Sequence, residues 1–274
     1  MNVAPDSTPA PVASPVALVT GASRGLGLAL AHALAAQGWQ LVITARGEAQ
    51  LAEAEVALAA VTKVVALPGS IVDDDHRARL AGAAEGLGGA SLLVNNAGSL
   101  NGATGPGAEP LPRLADFPLP DLLELFEVNA LAPIALTQLV LPQLRAHSGA
   151  VLNISSDAAV EPYLGWGGYG ASKAALDLAT AVLAREEEEL RVWAVDPGSM
   201  RTRMLQEASP GEDISGEPLP AQVAPVLLGL LRDRTPSGRY RAEDLAAVPT
   251  ADRASAADPA TVAEQATVAD RGGR

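Results

Sequence analysis

Tyr169 and Lys173 stand four residues apart in Tyr169-Gly170-Ala171-Ser172-Lys173, a spacing that sets a phenol and an ammonium on one face of a helix. Ser156, in Asn153-Ile154-Ser155-Ser156, lies thirteen residues upstream. A hydroxyl, a phenol and an ammonium brought together can hold an oxygen and exchange protons with it. Taken alone, the pair reads as a buried tyrosine beside a snorkelling lysine. The chain holds only 3 Tyr and 2 Lys, however, and the pair falls at an expected helix start after a strand that ends in serine, so coincidence explains it poorly. A second group is Thr20-Gly21-Ala22-Ser23-Arg24-Gly25-Leu26-Gly27. Its glycines let the backbone turn tightly and approach a pyrophosphate, whose charge the free N–H groups of a helix start stabilise. A strand-to-helix turn can need glycine for positive φ alone. The strand and helix on either side favour the binding reading. Three further motifs carry polar or turn-forming residues: Asn95-Asn96-Ala97-Gly98, Val128-Asn129-Ala130, and Asp196-Pro197-Gly198-Ser199-Met200-Arg201-Thr202. Singly, they are an Asn-Gly turn, a polar residue tolerated at a kink near Pro133, and a Pro-Gly turn.

The elements that must position these groups are legible as an alternation. Short apolar runs occur at Val16 to Thr20, Gln40 to Thr44, Val64 to Leu67, Leu92 to Asn95, Ala150 to Ser155, Arg191 to Val195 and, least regularly, Arg239 to Ala242. Stretches of helical spacing separate them near Leu26 to Gln37, Glu48 to Ala60, Asp74 to Glu85, Asp121 to Ala146, Tyr169 to Glu189 and Ala221 to Leu231. Most runs are apolar on both faces, as strands covered on both sides must be, and seven strands with six crossovers predict an α/β, doubly wound parallel sheet of Rossmann type. The 274 residues divide into an expected flexible tail at 1–14, one domain at 15–245 and a second expected tail at 246–274, poor in large apolar side chains. The proline-rich start has neither a cationic region nor an apolar one, so it reads as neither a secretory signal nor a membrane span.

Composition excludes several classes of function. The net charge is -13 and only 3% of residues are aromatic, which disfavours a nucleic-acid or anionic-membrane partner. With no cysteine there is no disulfide framework, thiolate metal site or thiol nucleophile, and the expected compartment is the cytoplasm.

Five motifs in this order, with Gly-x-x-x-Gly-x-Gly in place of the commoner dinucleotide fingerprint, resemble the short-chain dehydrogenase/reductase family over residues 16 to 242. The resemblance implies hydride transfer between a nicotinamide and a small-molecule carbonyl or alcohol, without a metal. It assigns Asn129, Ser156, Tyr169 and Lys173 to catalysis. Tyr169 would supply the proton, Lys173 with the oxidised cofactor would favour the phenolate and bond the ribose, Ser156 would donate to the substrate oxygen, and Asn129 would hold a water. Cofactor contacts would come from Gly21, Ser23, Arg24, Gly25, Leu26, Gly27, Arg46, Asn96, Ala97, Gly98, Tyr169, Lys173, Pro197, Gly198 and Thr202. A homodimer or homotetramer is also implied, with dimer contacts through the long helices around Asp121 to Ala146 and Tyr169 to Glu189.

The cofactor expected is NADP(H), with NAD(H) possible. An acid that would accept from a ribose 2′-OH is missing from Ile43-Thr44-Ala45-Arg46-Gly47, whereas Arg24 and Arg46 could clamp a 2′-phosphate. The sequence departs from the family at Ser70 and Ser91, where relatives carry Asp, which puts the adenine contacts in doubt. It also departs at Pro236-Ser237-Gly238-Arg239-Tyr240, which puts tetramer contacts in doubt. A substrate pocket is expected between Ser156 to Tyr169 and Met200 to Pro220. Val160, Pro162, Tyr163, Leu164 and Trp166 would form one wall and Met200, Met204 and Leu205 the other, with Gln206 to Pro220 as a lid. The alternative is a non-catalytic NADP(H)-binding sensor or regulatory module, which would be expected to lose the Ser, Tyr or Lys that this chain retains.

Overall fold

The computed structural model describes residues 14–101 and 111–247. Apart from Ser14, Ala246 and Ala247, the expected tails lie outside the described residues. Seven strands, β1 Val16–Thr20, β2 Gln40–Ala45, β3 Val64–Pro68, β4 Ala90–Asn95, β5 Ala150–Ile154, β6 Arg191–Asp196 and β7 Gly238–Arg241, form one sheet in the order β3-β2-β1-β4-β5-β6-β7. Every neighbouring pair is parallel.

Side-chain alternation divides the core between the two faces. Ala17, Val19, Leu41, Ile43, Leu92 and Val94 point to one face, where Leu30 and Leu34 of α1 (Gly25–Ala36), Leu51 and Leu58 of α2 (Glu48–Ala59) and Leu227 of α8 (Pro220–Arg232) cover them. Val16, Leu18, Val42, Leu93, Val151 and Val192 point to the other, against Leu80 of α3 (Asp74–Gly86) and Leu136, Val140 and Leu144 of α5 (Ala132–Ala146). The strands are apolar throughout because both sides are packed. Strand order reverses between β1 and β4, so the crevice for a ligand opens at their carboxyl ends, beside Thr20 and Asn95.

Local structure differs from expectation in four places. The stretch expected as one kinked helix from Asp121 is α4 Leu119–Phe126, a π turn Glu127–Leu131 and α5, so the chain accommodates Asn129 by widening the helix just before Pro133. Leu119–Ala146 as a whole is long and apolar enough to cross a membrane by length and composition, yet its inner face lies in the core of this sheet. β5 ends at Ile154 rather than Ser155, because the chain there turns into a short 3-10 segment, Asp157–Ala159, capped by Ser156. The stretch after β6 contains a helix, α7 Arg203–Ala208, that the proline and glycine content hid; the Thr202 hydroxyl caps it by accepting from Leu205 N at 3.2 Å. Finally, β7 ends at Arg241 and leads into α9 Ala242–Ala247, whose Leu245 is fully buried, so ordered structure runs two residues past the expected domain end.

Candidate active site

The glycine-rich loop joins β1 to α1 by pressing against the end of β4. Gly21 has φ +66°, and a Cβ there would lie 2.8 Å from Asn96 Nδ2 and 2.9 Å from Ala97 Cα. A Cβ on Gly27 would lie 2.3 Å from the Gly21 carbonyl oxygen. Thr20 and Asn96 fasten the two strand ends together. The amides of Asn96 and Ala97 each donate to Thr20 Oγ1 at 3.0 Å, and Asn96 Nδ2 donates to the Thr20 carbonyl at 2.9 Å. Asn96 thus shapes the loop from behind.

The start of α1 fits the phosphates of a dinucleotide. Its N-cap, Arg24, is extended and makes no side-chain cap, and its first turn holds no acid, so neither a capping side chain nor a carboxylate competes with an anion for the leading N–H groups. Arg24 and Arg46 are both exposed, as cations that meet an incoming phosphate would be. On the far side of the crevice, Gly198 turns the chain after β6 with φ +71°, its amide held by Asp196 Oδ1 at 2.9 Å. Beyond that turn, Thr202 approaches the loop: a Cβ on Gly25 would lie 3.8 Å from the Thr202 methyl.

Helix α6, Gly167–Glu186, brings Tyr169 and Lys173 to the same crevice, and both are buried. Lys173 Nζ donates to the Ile154 carbonyl at 2.8 Å and lies 5.7 Å from the centre of the Tyr169 ring. Gly98 lets the chain after β4 run close by; a Cβ there would be 3.2 Å from Asn129 Oδ1 and 3.6 Å from Lys173 Nζ. Ser156 Oγ donates to Asp157 Oδ1 at 2.9 Å and accepts from Ala158 N at 3.1 Å. The four residues expected to act together are therefore gathered at one end of the sheet.

Both amide hydrogens of Asn129 and one lone pair of its Oδ1 are engaged. Its amide donates to the Ser99 carbonyl at 2.8 Å and to Ser172 Oγ at 3.0 Å, and its Oδ1 accepts from Ser99 N at 2.9 Å. Ser172 Oγ in turn donates to the Tyr169 carbonyl at 2.6 Å, so Asn129 braces the tyrosine helix. A water at this position would need the remaining lone pair of Oδ1 or a main-chain group.

The chain's own groups, taken together, leave the Tyr169 phenol above its ordinary value. Burial pushes it well up, the adjacent Ser156 hydroxyl opposes this, and Asp196, Asp157 and Asp177 push it further up. Burial also drives the Lys173 ammonium down to about 8, against the pull of Asp177. Asp157, Asp177 and Asp196, with Arg239 acting on Asp177 and Asp196, belong to the same electrostatic neighbourhood, and none of the four was anticipated as a site residue. Only Asp177 had a sequence signal, one helical turn beyond Lys173.

The expected substrate walls are partly realised. Trp166 stacks edge-on to both Tyr163 and Tyr169, with ring centres 6.5 and 5.6 Å apart. A cavity of about 270 Å³ is lined by Val160, Pro162, Tyr163 and Trp166 and by Gly170 and Ala174 of α6; Met204, Leu205, Ser156 and Tyr169 are not among its lining residues. Met200 is not a wall residue. It is 8% exposed and belongs to the apolar core cluster that also holds Val223, Ala224 and Leu227 of α8.

A family model described as short chain dehydrogenase matches residues 15–213. Sepiapterin reductase of Bos taurus is 34% identical over 205 residues, which cover 69% of this chain and 74% of that protein. Serine 3-dehydrogenase of Rhizobium radiobacter is 31% identical over 212 residues, 76% of this chain and 81% of its own. The X-ray structure of an alcohol dehydrogenase from Thermococcus sibiricus complexed with 5-hydroxy-NADP superposes with a TM-score of 0.73 at 25% identity, covering 83% of this chain and 95% of that one. The chain belongs to the short-chain dehydrogenase/reductase family and is an NAD(P)-dependent oxidoreductase acting on a small molecule.

Proposed function

We propose that the protein is a carbonyl reductase or alcohol dehydrogenase that prefers NADP(H) and works through Ser156, Tyr169, Lys173 and Asn129. The observation that carries this reading is the convergence of those four side chains beside the glycine-rich loop, with Tyr169 and Lys173 buried and within one helical turn of each other. The bound cofactor supplies or accepts the hydride. Ser156 turns its hydroxyl from Asp157 to the substrate oxygen and fixes it, and Tyr169 gives its phenolic proton to that oxygen as negative charge develops there. Lys173 spends one of its three hydrogens on Ile154, which leaves two for a ribose hydroxyl and its positive charge for the phenolate. Asn129 keeps α6 in register through Ser172.

The preference for NADP(H) rests on Arg24 at the start of α1 and Arg46 just past the end of β2, both exposed, and on the lack of an acid between Ile43 and Gly47. The NADP analogue in the Thermococcus sibiricus enzyme is consistent with it. Ala45→Asp should shift preference toward NAD(H), because a carboxylate repels the 2′-phosphate and accepts from a ribose hydroxyl. The deciding experiment is a screen of ketones, aldehydes and alcohols with both cofactors in both directions, with calorimetry of NADPH and NADH. NADH binding as tight as NADPH would overturn the cofactor preference. Turnover confined to phosphorylated or polycarboxylate substrates would overturn a pocket walled by Val160, Pro162 and Trp166. Exposed Leu123, Leu131, Leu178 and Val182 on the two long helices support a dimer through those faces.

A further inference from the structure

One ion pair outside the expected set touches the site from below. Asp177, one turn beyond Lys173 on α6, accepts from Arg239 Nε of β7 at 2.9 Å. The same guanidinium donates through Nη2 to the main-chain carbonyl of Ser156 at 2.9 Å. A single planar side chain therefore ties together β7, α6 and the turn that carries Ser156, which a lysine, with one nitrogen, would not do with the same geometry. Both partners are largely enclosed, with side chains 13% and 23% exposed. The other oxygen of Asp177 and the hydroxyl of Ser155 are buried without an aligned partner, although Ser155 lies close enough to favour the carboxylate.

A pair that merely pinned β7 to α6 could sit anywhere along them. This one sits where it acts on two of the reacting groups at once. The ionisable groups of the neighbourhood are Tyr169, Lys173 and Asp177 on α6, Asp157 after β5, Asp196 at the end of β6 and Arg239 on β7. Among them Asp177 is the carboxylate that opposes the burial of Lys173. Burial pushes the Asp177 carboxyl up, and Ser155, Arg239 and Lys173 oppose this by favouring its charged form.

We propose that Asp177 and Arg239 are positioning residues for the Ser156, Tyr169 and Lys173 group: Arg239 fixes the Ser156 peptide by its carbonyl, while Asp177 anchors Arg239 and sets a carboxylate one helical turn from Lys173. The proposal rests on the reductase reading, but part of its test does not need turnover. The chain has two lysines, so lysine-labelled full-length protein gives two side-chain signals, and Lys63→Arg identifies that of Lys173. In Asp177→Asn the Lys173 signal should titrate about one unit lower than in the wild type, since a nearby carboxylate is lost and an unpaired guanidinium remains. Arg239→Lys, which keeps the charge, loses the bridge and adds a third lysine signal of its own, should leave the Lys173 midpoint in place. It should lower kcat about tenfold on the best carbonyl substrate, with KM for NADPH within about twofold. An unmoved Lys173 midpoint in Asp177→Asn, or an unchanged kcat in Arg239→Lys, overturns the proposal. The kinetic arm decides if Asp177→Asn does not fold. A wild type that turns over nothing in the substrate screen sinks the reductase reading and leaves the titration standing.

Discussion

Gly170→Ala tests whether the distance between Ser156 and Tyr169 is set by backbone packing. Helix α6 meets the Asp157–Ala159 turn so closely that a Cβ on Gly170 would lie 2.3 Å from the Ala158 carbonyl oxygen. Carbon and oxygen come no nearer than about 3.3 Å even in the favourable contacts between strands, so the turn or the helix must give way by about 1 Å. The turn carries Ser156 with it, because Ala158 N is bonded to Ser156 Oγ. A misplacement of about 1 Å in a reacting constellation costs on the order of 100-fold in rate. Overpacking costs about 1–3 kcal/mol and the gain in helix propensity returns about 1, so the variant should stay folded, less stable by about 0–2 kcal/mol. Gly82→Ala on α3 is the control, since a Cβ there meets nothing within 4 Å. It should gain about 0.5–1 kcal/mol and keep the wild-type rate. The assay is kcat and KM on one carbonyl substrate, with melting curves and calorimetric NADPH binding for each variant. A Gly170→Ala enzyme with wild-type kcat would show that the serine does not depend on this contact.

Tyr169→Phe should abolish most turnover and leave NADPH affinity nearly intact, whereas Lys173→Ala should weaken both; calorimetry and initial rates on the two variants separate the roles, and a Tyr169→Phe enzyme at full activity would refute the mechanism. Because burial holds the Lys173 ammonium near 8, NADPH affinity should fall as pH rises through about 8, and this dependence should vanish in Lys173→Ala. The sign for stability is the reverse. The folded value lies below the unfolded 10.5, so between about 8 and 10.5 the unfolded chain binds the proton more readily, and the contribution of Lys173 to stability grows with pH across that window, as melting curves of wild type and Lys173→Ala would show. Across Met200 to Pro220, amide exchange should slow when NADPH and a substrate analogue bind; equal exchange with and without them would remove the lid.

The sheet was legible because its strands are packed on both faces and bounded by helices of plain 3.6-residue spacing. Sequence reasoning went astray where a local device replaced a periodic one. The π turn at Asn129 keeps the apolar spacing of a helix on either side, so nothing in the pattern marks the extra residue in the turn. α7 is six residues long and held by one threonine cap, too short for periodicity to register among prolines and glycines. In both cases, backbone geometry at one or two residues decided the outcome. Met200, an apolar side chain in the stretch expected to wall the pocket, instead joins the core, and an apolar residue type reads the same in either place.

The site divides along the same line. Tyr169, Lys173 and the glycine loop were visible because their partners are near in sequence and their spacing is dictated by a helix turn or a phosphate. Electrostatics is not local in that sense. From the sequence, Lys173 and the oxidised cofactor were expected to favour the phenolate; in the folded chain burial and three carboxylates act the other way on Tyr169. Asp177 could have been suspected from its place one turn beyond Lys173, but an aspartate there reads equally well as a solvated helix residue until Arg239 is known to face it. Arg239 is 62 residues further on, in the irregular stretch where the sequence departs from its family. Pairing it with Asp177 requires knowing that β7 lies beside β6 and beneath α6, which follows from the strand order and from nothing in the local sequence of either residue. A departure at the edge of the sheet therefore acts on chemistry at the centre, through a guanidinium on the Ser156 carbonyl.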